Sequence, residues 1–442
     1  MFSIDRILPL LKKYDVPGPR YTSYPTVPAW GELGATDYET SLKTIRTGEK
    51  LSLYFHLPFC ESLCHFCGCT QVITKDHARS REYVNLLLKE IKRVASLIKA
   101  KEVNQVHFGG GTPNFLAPEE LGALMEAIKG DFRIDSDAEI AIEMHPRTST
   151  LAFCKKLKEL GFNRISLGVQ DLDPHVQKLI NRHQTFEMTE KMVHDLRDLG
   201  FSSFNFDLVY GLPGQTSVGW GKTLAQVLSL RPERLAVYSY AHVPWIRPVQ
   251  RTFEDSDLPR PEKKLEFFGD ALKTFTSHGY CLIGMDHFAL ENDELARCAS
   301  AGTLHRNFMG YSTRKDSHQI GFGMSAISFA GGNYFQNEKE LKKYQARILE
   351  GALATFRGMI LSEDDHVRRV LIMKIMCAGK IPGPDSAKLD SFIRDGLLVK
   401  KGSGYQATEE GSLFLRNIAM VFDKYLEGVK SKASTPVFSR TI

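Results

Sequence analysis

The sequence predicts an α/β protein, a partial (β/α)6 TIM-like barrel with an N-terminal appendage and a small, mostly helical, winged-helix-like C-terminal domain. Three observations carry this expectation. Six short apolar, strand-like runs lie between residues 51 and 244, and helical patterns separate them, as in βα units around a parallel sheet. The residues with unusual chemistry cluster at the C-terminal ends of those runs, the rim where barrels carry their active sites. The pattern changes on both sides of residues 35–362.

Residues 1–34 start as a short amphipathic helix, which should not outlast Val16, because proline-rich PGPRYTSYPT (17–26) follows. LSLYFH (51–56) is the first strand and leads straight into a crowded cysteine segment. A helix is expected from about Ser80 to Lys101. The next runs are VNQVHF (103–108) before GGGTP, EIAIEMHP (139–146), RISLGVQ (164–170), FNFDLVYGLPG (204–214) and RLAVYSYAHVP (234–244). Helical LAFCKKLKELG and EMTEKMVHDLRDLG lie between them, each ending at a glycine, a common stop signal. A closed barrel needs eight strands, and only six are clear, so the barrel is expected to be partial. The domains are expected at 1–34, 35–362 and 363–442. In the last, helical EDDHVRRVLIMKIMCAGK precedes the glycine-turned hairpin GLLVKKGSGYQAT and a further helix. Its winged-helix order is read as packing or a lid rather than DNA binding.

The charge balance supports that choice. The 57 Lys+Arg against 52 Asp+Glu leave +5, too weak and dispersed for nucleic acid but suited to an anionic small substrate. No apolar run approaches the ~20 residues that span a bilayer, and the N-terminus lacks the apolar core of an export signal. A reducing cytoplasm is therefore expected, where clustered cysteines act as metal ligands or redox groups rather than disulfides. Cys154, Cys281, Cys298 and Cys377 are scattered and read as ordinary thiols.

The other four cysteines lie in FHLPFCESLCHFCGCT (55–70), spaced Cys-x3-Cys-x2-Cys-x-Cys. Zinc sites usually pair two Cys/His couples a dozen or more residues apart. No second couple follows, although His56 and His65 keep zinc open as an alternative. An iron–sulfur cluster suits a short thiolate loop better. Three thiolates on a [4Fe–4S] cluster leave one iron open to a reactant, whereas Cys69 as a fourth ligand would close it. The spacing leaves both open. Gly109-Gly110-Gly111-Thr112-Pro113 allows close backbone approach to a ligand, or simply a tight turn. Glu143, Gln170, Arg182 and Asp207 lie in or just after strand-like runs. Each suits a polar ligand or an ordinary salt bridge, and Arg182 suits a carboxylate.

Cys60-x3-Cys64-x2-Cys67 after a first strand resembles the signature of radical S-adenosylmethionine (SAM) enzymes. Further stretches narrow the likeness: Tyr54-x-His56-x-Pro58-Phe59-Cys60, Cys67-Gly68-Cys69, PGPRYTSYPT, HFGGGTP (107–113), GLPGQT (211–216), LHRNF (304–308) and FSRTI (438–442). Together they resemble the oxygen-independent coproporphyrinogen III dehydrogenases (oxidases) of haem biosynthesis over essentially the whole chain. The resemblance implies that Cys60, Cys64 and Cys67 hold the cluster, that SAM occupies its open iron, and that a second SAM binds nearby. It implies Tyr54, Glu143 and Phe308 as catalytic residues. It places Tyr54, Gly110, Gly111, Thr112, Glu143, Gln170, Arg182 and Asp207 against SAM, with Phe66, Ala241 and Ile327 lining the second molecule's site.

The implied reaction turns two propionates of coproporphyrinogen III into vinyl groups, giving protoporphyrinogen IX through a SAM-derived radical. A flavodoxin or ferredoxin system is the implied electron donor, and the implied state is a monomer without nucleic-acid or membrane partners. Arg20 is a candidate for one of the substrate's four carboxylates. One departure stands out: Met309 occupies a position where the family commonly has Gln, and a thioether cannot replace an amide's donors and acceptor. Radical SAM-type haem chaperones and haem-degrading radical SAM methyltransferases are the alternatives. The chaperones usually carry an aromatic at the Cys69 position and lack RYTSYPT.

Overall fold

A computed structural model describes residues 4–314, 317–383 and 387–441. Ile442, the last residue of FSRTI, lies outside the described residues.

The six expected runs form β1 (Lys50–Leu57), β2 (Glu102–Gly110), β3 (Arg133–Met144), β4 (Arg164–Gln170), β5 (Phe204–Tyr210) and β6 (Arg234–Ser239). They pair in parallel in chain order. The crossovers are α1 (Ala78–Leu97), α2 (Pro118–Asp131), α3 (Leu151–Leu160), α4 (Phe186–Asp198) and α5 (Ser217–Leu230), and α6 (Pro261–Thr276) follows β6. Thr150, Thr185 and Thr216 start α3, α4 and α5 by accepting a backbone N–H on the side-chain oxygen, a preferred way to satisfy orphan donors at a helix start. Gly161 ends α3 in the left-handed conformation.

The period-2 alternation of β1 sets its two faces. Leu51, Leu53, Phe55 and Leu57 are fully buried in the main apolar core with Leu87 and Ile91 of α1. The opposite face is polar, and its partners lie on neighbouring strands. Ser52 donates to Gln105 (2.8 Å), Gln105 donates to Glu139 (2.9 Å), and Arg164 Nε donates to Glu139 (2.6 Å). Burial opposes the charge of Glu139, but the guanidiniums of Arg164 and Arg234 outweigh it and hold the carboxyl at about 2. One layer nearer the rim, Tyr54 stacks on His107 with ring centroids 5.9 Å apart.

Boundaries depart from expectation in three places. α1 ends at Leu97 rather than Lys101; Ile98 is extended, and the Lys101 amine folds back onto the Ala95 carbonyl (2.6 Å). β3 begins at Arg133, six residues before the expected run. β5 and β6 stop at Tyr210 and Ser239, and Gly211 then turns the chain with φ +82°.

The sheet also continues past the six strands. β7 (Tyr280–Gly284) and β8 (His287–Leu290) extend it antiparallel beyond β6. On the other flank β9 (His318–Phe322) runs parallel to β1. Then come β10 (Ile327–Ala330), β11 (Asn333–Asn337), β12 (Thr355–Met359) and the short strand Gly31–Glu32, all antiparallel. The result is a 13-stranded mixed sheet whose edges, Gly31–Glu32 and β7, do not pair with each other among the described residues. Glu90 of α1 ties the helix layer to this flank. Almost fully buried, it accepts from the Gly323 N–H, the Tyr344 hydroxyl and Asn337 Nδ2, each at 2.7 Å. Burial pushes its carboxyl up to about 7.

Beyond the sheet, α7 (Glu363–Ala378) starts in a capping box of Ser362 and Asp365. The strands Lys380–Ile381, Leu398–Lys401 and Gly404–Ala407 form a small antiparallel sheet. A second apolar cluster joins Ile7, Tyr14, Tyr21 and Tyr24 to Ile372, Met376, Phe414 and Ile418. The N-terminal appendage thus packs on the C-terminal segment. Arg416 pins the two chain ends by donating to the carbonyls of Gly18, Pro19 (3.0 Å), Arg440 (3.1 Å) and Thr441 (3.2 Å). No helix among the described residues is long and apolar enough to cross a membrane.

Candidate active site

The cysteine loop leaves the end of β1 and is held on two sides. Phe59–Cys60 pairs in parallel with Val72–Ile73. The Gly111 N–H donates to the Leu57 carbonyl (2.8 Å), and the Thr112 N–H donates to the Phe59 carbonyl (2.9 Å). On the far side, the His65 N–H reaches the Ile180 carbonyl (3.0 Å), and Asn181 Nδ2 reaches the Leu63 carbonyl (2.8 Å). The loop is therefore clamped between the glycine turn after β2 and the segment that carries Arg182.

All eight described cysteines are free thiols. Cys60, Cys64 and Cys67 line one cavity of about 180 Å³ together with Cys69, Phe66, Gly110, Gly111, Thr112, Glu143, Gln170, Arg182 and Asp207. Cys60 Sγ lies 3.2 Å from Thr112 Oγ1, and Arg182 Nη1 lies 3.9 Å from Cys64 Sγ. The Cys67 thiol donates to Gln71 Oε1 (3.0 Å) and receives the Cys69 N–H at 3.5 Å. Burial pushes Cys60 up to about 11 and raises Cys64. Hydrogen bonding from Cys69 outweighs burial at Cys67 and holds it down at about 7. The same contact raises the Cys69 thiol, and the thiolate is the form that ligates metal.

Glycine makes room around these thiols. A Cβ on Gly111 would sit 2.6 Å from the Pro58 carbonyl carbon, and one on Gly109 would sit 2.7 Å from Glu143 Oε1. Gly110 has φ +114°, and a Cβ there would meet the His56 ring at 2.6 Å. Gln170 takes φ +66° without being glycine, strain on the order of 1–3 kcal/mol of the kind that gathers at ligand sites. Glu143 accepts from the Gly110 N–H and from His107 Nε2, both at 3.1 Å. Burial works against its charge, but His107 and the Gly110 N–H outweigh it and keep the carboxyl below the usual range. Asp207 behaves oppositely: burial and the nearby Glu143 push it up to about 7. Arg182 is buried, donating Nε to Gln184 (3.1 Å) and Nη2 to the Gly168 carbonyl.

No three His, Cys, Asp or Glu side chains among the described residues converge on one ion position. A single zinc ion draws its thiolates to about 2.3 Å, whereas a cubane offers each thiolate its own iron. Four free thiols around one cavity, beside a glycine cradle that side chains would fill, fit a [4Fe–4S] cluster.

The comparisons agree with this geometry. Residues 54–226 match the radical SAM superfamily. The oxygen-independent coproporphyrinogen III oxidase of Salmonella typhimurium is 41% identical over 99% of each chain. Its namesake from Escherichia coli K12 is 40% identical over 99% of each, and that from Pseudomonas aeruginosa is 41% identical over 98% of each. The solved structure of coproporphyrinogen III oxidase from Escherichia coli, described as a radical SAM enzyme, matches with a TM-score of 0.90 and 40% identity, covering 95% of this chain and 98% of that one. The chain belongs to this family. As an oxygen-independent coproporphyrinogen III oxidase it is a radical SAM oxidoreductase, a class that works with a [4Fe–4S] cluster and SAM.

Within this oxidase the sequence-predicted residues fall into four places. Eleven of them share the cysteine cavity: the three proposed ligands, Phe66, Gly110, Gly111, Thr112, Glu143, Gln170, Arg182 and Asp207. Tyr54 lies behind that wall, stacked on His107 and bonded through its hydroxyl to His56 Nδ1 (3.1 Å). Phe308 and Ile327 pack together on the β9–β12 flank against Trp30 and Tyr334. Ala241 lines a second cavity of about 600 Å³, bounded by Tyr210, Gly211, the 239–245 loop, the start of α6, Arg20 and the tail 436–441. Phe66 of the cysteine cavity belongs to the same apolar cluster as Tyr240 and Leu258 of the second cavity. Met309 turns the hairpin between His305–Asn307 and Gly310–Ser312, its N–H on Asn307 Oδ1 (2.9 Å).

Sequence reasoning missed His107 and Gln71. His107 shares inward parity with Tyr54 across paired strands, a signal that was available. Gln71 follows the motif in a loop and offered none.

Proposed function

We propose that this chain converts two propionate side chains of coproporphyrinogen III to vinyl groups without oxygen, giving protoporphyrinogen IX in cytoplasmic haem biosynthesis. The observation that carries the reading is the set of free thiols, Cys60, Cys64 and Cys67 with Cys69 beside them, around one glycine-cradled cavity, in a chain 41% identical end to end to a coproporphyrinogen III oxidase.

In this reading Cys60, Cys64 and Cys67 hold the cluster, and Cys69 tunes Cys67 from outside the ligand set. When bound, the cluster and SAM supply the one-electron chemistry that removes a hydrogen atom from the substrate propionate. The chain's own residues bind and orient. Glu143, kept charged by His107 and the Gly110 N–H, suits the ammonium of SAM. The Gly110–Gly111 backbone and Thr112 approach its polar head. Arg182 suits its carboxylate, and Gln170 with Asp207 suits hydroxyl groups. Tyr54 braces His56 and the rim. On the resemblance a second SAM is proposed beside Phe66, Ala241 and Ile327, which line the cysteine cavity, the second cavity and the Trp30–Tyr334 cluster respectively; Phe308 shares that last cluster. A clamped, narrow site holds the reacting carbon in place and keeps water from the radical. The chain is taken as a monomer served by a flavodoxin- or ferredoxin-type donor, with units 1–34, 35–362 and 363–442.

Anaerobic reconstitution followed by incubation with coproporphyrinogen III, SAM and a reductant tests the reading. A [4Fe–4S] spectrum and vinyl product are expected. Stoichiometric zinc without iron uptake overturns it, as does tight haem binding without vinyl product, the behaviour of a chaperone.

A further inference from the structure

Lys264, in the first turn of α6, lines the second cavity. Its stem passes over Gly211, where a Cβ would sit 2.7 Å from the lysine Cε and 3.1 Å from Cδ. Gly211 thus leaves the groove through which the amine reaches the cavity. There the amine donates to the Tyr240 carbonyl (3.0 Å), not to a carboxylate. Burial pulls it down to about 8, and an arriving carboxylate would favour its charged form.

Three of the other cations of this cavity are already engaged, and Arg260 at the start of α6 adds a further positive charge. Arg20 pairs with Asp286 and lies over the Tyr238 ring at 5.3 Å. Arg440 pairs with Asp15 (2.5 Å), and Arg416 is taken up by backbone carbonyls. Tyr210, Tyr240 and Phe268 supply broad apolar wall. A cavity with apolar faces and a basic surplus that includes a lysine amine bonded to a single carbonyl suits a ligand with a large apolar body and several carboxylates. Its Tyr240 and Leu258 share an apolar cluster with Phe66 of the cysteine cavity.

We propose that the second cavity, whose Ala241 edge the proposed second SAM borders, holds the carboxylates of the tetrapyrrole substrate and that the Lys264 amine pairs directly with one of them. Gly211 is the positioning residue, because it leaves the path for the lysine stem. The inference rests on the proposed function.

The test compares K264M and K264R with the unaltered holoenzyme. KM and kcat for coproporphyrinogen III are measured, with the Kd of fluorescent coproporphyrin III as a separate probe. K264M is expected to raise both KM and Kd about tenfold or more, with kcat within twofold and iron content unchanged. K264R should return both constants to within about threefold. A merely structural lysine would instead lower iron content and kcat together. Unchanged KM and Kd in K264M overturn the inference, as does a rise confined to the KM of SAM. If K264M fails to fold, K264Q, which keeps most of the stem, is read by the same outcomes. Should the unaltered chain make no vinyl product, the proposed function fails; if it turns over and K264M matches it, only this inference fails.

Discussion

The two cavities are built in opposite ways. The cysteine cavity is made of short stretches: three cysteines within eight residues, a glycine turn after the next strand, and single side chains from three further strand ends. The second cavity is assembled from the far ends of the chain, with Arg20, Gly211, Lys264 and the 436–441 tail meeting at one place. A metal cluster demands thiolates at fixed short separations, which a loop supplies through covalent spacing alone. A large ligand demands only a shaped, charged wall, and any part of the chain that folds to the right place can supply it. Substitutions in the first cavity should therefore abolish the chemistry, and substitutions in the second should weaken substrate binding.

The largest contrast is expected from the cysteines. Cys60→Ser, Cys64→Ser and Cys67→Ser should each reduce vinyl product to background and strip iron from the reconstituted chain, measured by product analysis and by iron and sulfide content. Cys69→Ser should keep its iron and lose activity by about 10–100-fold, the range for a residue that orients a ligand from outside the coordination set. Loss of iron in Cys69→Ser to the level of the other three would move it into the ligand set.

A glycine in each cavity sharpens the contrast. At Gly111 an added Cβ meets backbone, the Pro58 carbonyl carbon at 2.6 Å and the Phe59 oxygen at 2.9 Å. These atoms lead directly into Cys60 and cannot rotate away. Gly111→Ala should cost about 1–3 kcal/mol of stability and, by shifting the ligand loop, lower turnover about 100-fold. At Gly211 the neighbour is the flexible Lys264 stem, although φ +82° adds about 1–2 kcal/mol of strain. Gly211→Ala should raise KM for the porphyrinogen while the iron content stays intact. Denaturation midpoints, iron content and steady-state kinetics separate the two.

The same contrast explains what could be read from the sequence. The six parallel strands were legible because each is an apolar run between helices, and Leu51, Leu53, Phe55 and Leu57 alternate with polar residues. The motif residues were legible because thiols and glycines at tight spacing are rare. The flanking strands His318–Phe322 and Ile327–Ala330 were missed; they are four or five residues long and mix Gln, Gly and Ser into their apolar positions. Lys264 is anonymous in PEKKLEFF, where it reads as one more charge on a helix face. Its role depends on Gly211, 53 residues away, and no periodicity connects the two. Ala241, Phe308 and Ile327 are equally anonymous by residue type, and their parting from the cysteine cavity follows from packing alone.

The smallest expected effect concerns Asp207, on the cysteine-cavity side. An unfolded aspartate titrates near 3.9, and the folded one has been pushed up to about 7 by burial and by Glu143. Between these values the folded chain holds a proton that the unfolded chain releases. Stability therefore falls as pH rises from about 4 to about 7 and levels off above. Asp207→Asn removes that slope, because an amide stays neutral throughout. The variant's cluster-free chain should match its parent near pH 4 and exceed it at pH 8 by about 1–2 kcal/mol, the full shift being discounted for water entering the cavity. Glu90, also near 7 but buried between α1 and the β9–β11 flank, keeps its own slope of the same sign, so the parent's pH dependence should shrink rather than vanish. Thermal midpoints at pH 4, 6 and 8 check this. A variant less stable than its parent at pH 8 would mean that Asp207 is charged and paired in the folded chain, and that Glu143 does not impose its proton.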